Sequence, residues 1–104
     1  VKTTEQLNQE SELCRKALAH ISLALHEHIK PLRRYHDEAN RRIMNNLQLS
    51  IGLKEMENVL DNHSTLKGAT KSKMFVERKK MVALAKYTVV STNEWFESVK
   101  NRKI

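Results

Sequence analysis

The sequence predicts an all-α fold, an elongated antiparallel bundle of two or three long helices that a second copy can complete by dimerisation. Three observations lead there. The 104 residues include two glycines and one proline, too few of the residues that tolerate positive φ or fix φ to turn the strands of a β protein. Apolar side chains, 39% of the chain against 30% charged, recur at spacings of three and four, the period of an amphipathic helix. The length suits a single domain over residues 1–104 and is too short for two independent cores.

The first helix is expected over about residues 3–30. Leu7, Cys14, Leu18, Ile21, Leu25 and Leu32 form a seam close to a heptad, widened by Ala17, Ala24 and Ile29. Thr3 or Thr4 can cap its start, with Glu5 placed favourably for the helix dipole. Pro31 then interrupts the pattern. Proline removes a helical hydrogen bond and drives the preceding residue, Lys30, out of the α region. Yet His26 to Arg34 contains no Gly, Asn, Asp or Ser with which to build a reversal. Two architectures follow: Pro31 kinks one helix of about 90 Å, whose apolar stripe would need a second chain, or it turns the chain and gives three helices able to stand as a monomer.

A second helical pattern covers about residues 32–61. Ala39, Ile43, Leu47 and Ile51 mark its expected apolar side, broadened by Met44, Leu53, Met56, Val59 and Leu60. Gly52 within it costs about 1 kcal/mol relative to alanine. Residues 61–65, Asp-Asn-His-Ser-Thr, followed by Gly68, are the strongest reversal in the chain and define a loop over about 62–70. The last helix is expected over about 71–102, capped by Thr70, with Phe75, Val82, Ala85, Val89, Thr92, Phe96 and Val99 on one face.

The net charge of +7 is unevenly spread. Residues 1–65 carry nine basic and nine acidic side chains, whereas residues 66–104 carry ten and three. The densest run holds Lys67, Lys71, Lys73, Arg78, Lys79 and Lys80 against Glu77 alone, with Met74, Phe75 and Val76 embedded in it. Such a run suits a phosphate-bearing surface, and basic residues around a few apolar ones suit anionic membrane better than nucleic acid. A solvated, solubilising helix face is the plain alternative.

Nothing in the sequence has the spacing of a catalytic or metal centre. His26 and His28, two apart, face different sides of a helix, and His-Glu-His-Ile is not the His-Glu-x-x-His zinc pattern. The pairs Asp37 with Glu38 and Glu55 with Glu57 lie among Arg and Lys, as solvated helix charges do. There is no glycine-rich phosphate loop and no nucleophile elbow, so no enzyme, cofactor or small-molecule substrate is expected. Cys14 is the lone cysteine and is expected to be a buried small hydrophobe. No signal-peptide pattern and no span of 18 apolar residues occurs, which favours a cytoplasmic protein that can sit at a membrane periphery.

Trp95 and Phe96 are adjacent and point about 100° apart on a helix, so Trp95 should meet a second helix or a partner chain, with Tyr87 on roughly its side. Leu18, Leu25, Leu32, Tyr87, Trp95 and Phe96 together form the candidate oligomer or partner face.

Residues 25–42, Leu-His-Glu-His-Ile-Lys-Pro-Leu-Arg-Arg-Tyr-His-Asp-Glu-Ala-Asn-Arg-Arg, and the run from Tyr87 to Val99 centred on Asn-Glu-Trp-Phe-Glu resemble helices of F-BAR and related BAR-superfamily domains. The two segments cover about 30 residues, and the chain is about half the usual length of such domains. The resemblance implies an antiparallel helical dimer, curved and basic, that associates with anionic membrane; Pro31 and Leu32 match the helix step, Trp95 and Phe96 the aromatic run. The alternative is a three-helix adaptor that binds a protein partner through a helical face, with nucleic-acid binding through the basic run ranked third.

Overall fold

The computed structural model describes residues 4–62 and 68–102, with side chains for 5–58 and 72–102. Three helices account for nearly all of it: α1 (Thr4–His28), α2 (His36–Asn62) and α3 (Gly68–Asn101). Each packs on the other two, so the chain runs up, down and up, with α1 and α3 parallel. The result is a rod of 53 × 22 × 16 Å with a Cα radius of gyration of 16.1 Å, against about 13 Å for a compact globule of this length.

Pro31 turns the chain. The α1 ladder closes at Leu25, whose carbonyl accepts from both Ile29 N (3.0 Å) and Lys30 N (2.8 Å), the six-to-one bond that ends many helices. Leu32 is extended (φ −81°, ψ 114°), Leu32 N donates to Ile29 O and Tyr35 N to Leu32 O, and a single 3-10 turn, Arg33–Tyr35, feeds α2. His36 Nδ1 donates back to the Lys30 carbonyl at 2.9 Å. Turn-forming side chains are absent here, and their work is done by backbone hydrogen bonds and by Ile29, which is buried in the core beyond. The continuous kinked helix is therefore not the architecture, and the need for a second chain to cover a 90 Å stripe lapses with it. At the other reversal α3 begins at Gly68, so Thr70 lies inside the helix instead of capping it.

The core divides in two. Leu7, Cys14, Leu18, Leu53, Val82 and Ala85 form one cluster, nearer the α2–α3 connection. Leu25, Ile29, Ala39, Phe96 and Val99 form the other, beneath the Pro31 corner. Between them, each helix places a buried polar residue: Ser22, Asn46 and Thr92. The faces expected for α1 and α3 are the buried ones. For α2 the phase is different: Leu47 and Ile51 are exposed, and the buried line runs Ala39, Asn46, Leu53 and Glu57. Two of those four are polar, so a hydrophobic pattern could not reveal that line.

Candidate anion-binding surfaces

The six basic residues of the 67–80 run do not share one surface. Lys67 lies outside the described residues, as does the side chain of Lys71. Arg78 is 0% exposed and its guanidinium faces Glu57 at 3.7 Å, so it is an interior residue and not a contact for an anionic surface. Glu57 also accepts from Arg15 at 2.9 Å and has Lys54 at 4.0 Å. One carboxylate on α2 thus ties α1 and α3 together. Lys79 stands over the Phe75 ring, on the α1 side. Lys73 and Lys80 remain exposed on the outside of α3, with Lys80 3.7 Å from Glu77 in a solvated pair.

The outside of α3 carries a second feature. Val76, Leu84 and Tyr87 are 48%, 54% and 70% exposed, and with Lys73 and Lys80 they follow one another at steps of three or four. Five residues thus fall on a single outward strip about 21 Å long. From Arg78 to Asn93 the helix contains no acidic residue. Val90 is exposed beside the strip, over a shallow cleft between α1 and α3 lined by Leu13, Cys14, Ala17 and Val89. Lys86 bridges that cleft's edge to Glu10 at 3.2 Å. Burial raises the Cys14 thiol above its ordinary pKa, against the opposing pull of Lys86.

The expected partner face is mostly interior. Leu18, Leu25 and Phe96 are buried in this chain's own core, which removes them from any surface; Leu32 is half-buried against the second cluster. A heptad seam reads the same whether it packs within a chain or between chains. Trp95 does meet a second helix: its ring is edge-on to Tyr35 at 6.3 Å and lies under the Arg42 guanidinium at 4.9 Å. Tyr87 points instead to solvent. Of the six, Tyr87 alone is a freely exposed contact.

Sequence reading missed the Pro31 corner. Here the end of α1, the turn, the start of α2 and the end of α3 converge, and residues 26–42 with 100–102 hold seven Lys or Arg and three acidic residues. Glu38 engages Arg41 (2.6 Å) and Arg42 (2.9 Å). Hydrogen bonding from Arg41, reinforced by the charges of both arginines and partly opposed by desolvation, holds the Glu38 carboxyl below its usual pKa. No group of three His, Cys, Asp or Glu converges among the described residues, and none of their helices is long and apolar enough to cross a membrane.

The chain matches no family model, no curated protein and no solved structure.

Proposed function

We propose that the chain is a non-enzymatic helical binding module that lies against an anionic membrane surface along the outside of α3. The observation that carries this reading is the exposed strip of Lys73, Val76, Lys80, Leu84 and Tyr87. Apolar side chains at helical spacing enter the boundary between headgroups and acyl chains, while each lysine beside anionic lipid contributes about 1 kcal/mol. A purely solvated helix face would not need three large apolar side chains on it. Assembly into a curvature-sensing dimer, which the F-BAR resemblance implies, is the narrower form of the same reading.

Co-sedimentation with vesicles tests it. Binding should require anionic lipid, weaken as salt rises, and fall at least tenfold in Lys73→Glu/Lys80→Glu and in Leu84→Ser/Tyr87→Ser. Binding that ignores lipid charge, or that survives both double substitutions, overturns the membrane reading and favours the protein-binding adaptor. Preference for small vesicles over large ones would support the curvature-sensing form.

A further inference from the structure

The Pro31 corner differs chemically from the α3 strip. After Glu38 is assigned to Arg41 and Arg42, and Glu97 to Lys100 at 3.7 Å, four cations remain: Lys30, Arg33, Arg34 and Arg102. Among the described residues no carboxylate lies within ion-pair distance of any of them. Asp37 and Glu27 are the other acidic groups at this end, and Glu27 approaches His28. Arg33, Arg34 and Arg102 are exposed, whereas the large apolar residues beside them, Leu32, Tyr35, Trp95 and Phe96, are buried or half-buried. Within residues 26–42 and 95–102 no large hydrophobic side chain is exposed, whereas Leu23 and Met44, just outside that range, are.

The cations are also held on a built scaffold. Backbone hydrogen bonds fix the turn, and His36 straps it to α2. Arg34 lies 5.5 Å over Tyr35, Tyr35 is edge-on to Trp95, and Trp95 lies under Arg42.

We infer that the Pro31 corner is a second anion-binding surface, and that its ligand is the phosphate backbone of a nucleic-acid duplex, bound without regard to base sequence. Guanidinium forks match phosphate oxygens bidentately, and three of the four available cations are arginines. A membrane surface would be met by apolar side chains as well as charges, and the corner exposes none of the large ones. Single strands are held by stacking bases on aromatic rings. Here a cation covers one face of each of Tyr35, Trp95 and Phe96, which disfavours that mode. This inference is independent of the membrane proposal, because the two use different residues.

Fluorescence anisotropy with a 20-base-pair DNA duplex and the matching RNA duplex, titrated from 50 to 200 mM KCl, tests it. Four phosphate contacts give a log–log salt slope of roughly −3.6. Arg33→Gln/Arg34→Gln/Arg102→Gln should lower affinity at least tenfold at 50 mM salt and flatten the slope to about −1. Arg33→Gln/Arg102→Gln spares the Arg34–Tyr35 contact, so its intermediate slope, with circular dichroism unchanged, separates lost contacts from lost fold. Absence of duplex binding at 50 mM KCl, or unchanged affinity in both variants, overturns the inference. So does duplex binding that is abolished by Lys73→Glu/Lys80→Glu and not by the corner substitutions. Loss of anionic-vesicle binding in the corner variants, with duplex binding intact, would assign these charges to a membrane.

Discussion

Arg78 and Glu57 show how a charged residue can belong to the core. The arginine stem packs inside the bundle while its head, at 0% exposure, faces a carboxylate shared with Arg15. Breaking a buried ion pair by removing one partner costs about 3–5 kcal/mol, and Glu57 is the member that both arginines share. Arg78→Met or Glu57→Gln should therefore lower the urea midpoint far more than Lys80→Met, whose partner is solvated. Glu38 acts on a different axis. Its folded pKa is depressed, chiefly by the Arg41 hydrogen bond, so its contribution to stability is complete above the unfolded carboxylate pKa of about 4.3. That contribution is lost as pH falls through the lowered folded value. Urea midpoints measured from pH 5 down to pH 2 should show a steeper acid loss in the parent than in Glu38→Gln.

Gly52 is the weak point of α2 and a place to strengthen it. A Cβ there would meet only the end of the Met81 side chain, at 3.4 Å from Sδ and 3.5 Å from Cε, an ordinary contact with a flexible group. Gly52→Ala should gain most of the helix propensity difference, about 0.5–1 kcal/mol, read as a raised thermal midpoint. At this scale the sequence was a good guide wherever the buried face was apolar. Leu7, Leu18 and Leu25 on α1, and Val82, Ala85, Phe96 and Val99 on α3, carry the period that betrays a helix, and all are buried. It misled on α2, where Asn46 and Glu57 occupy interior positions and the exposed Leu47 and Ile51 mimic a core line. Pro31 could not be read locally, because the choice between kink and turn is made by distant partners: Leu25 and Ile29 packing with Ala39. The basic run was legible as composition but not as a surface, since its thirteen described helical residues, 68–80, sweep all directions at 100° each. The Pro31 corner escaped because its excess is cancelled on averaging over residues 1–65, and because only the fold brings Lys100 and Arg102 to it.

At the scale of the whole molecule, the chain closes on itself as a rod with two chemically distinct basic surfaces, one along its side and one at its end. Solution scattering at micromolar concentration should give a radius of gyration near 16 Å and a longest dimension near 53 Å for a single chain. A helix continuous through Pro31 would instead extend roughly 88 Å at 1.5 Å per residue over positions 4–62, so a much larger dimension would mean that α1 swings away from the bundle. The polar layer of Ser22, Asn46 and Thr92 has its own consequence for how the rod comes apart. Its polar side chains interrupt the apolar packing between the two clusters it separates. Either half can then breathe without the other. Amide hydrogen exchange should resolve two protected blocks, one under the Pro31 corner and one around Leu18 and Leu53, whose opening free energies respond separately to substitutions within each.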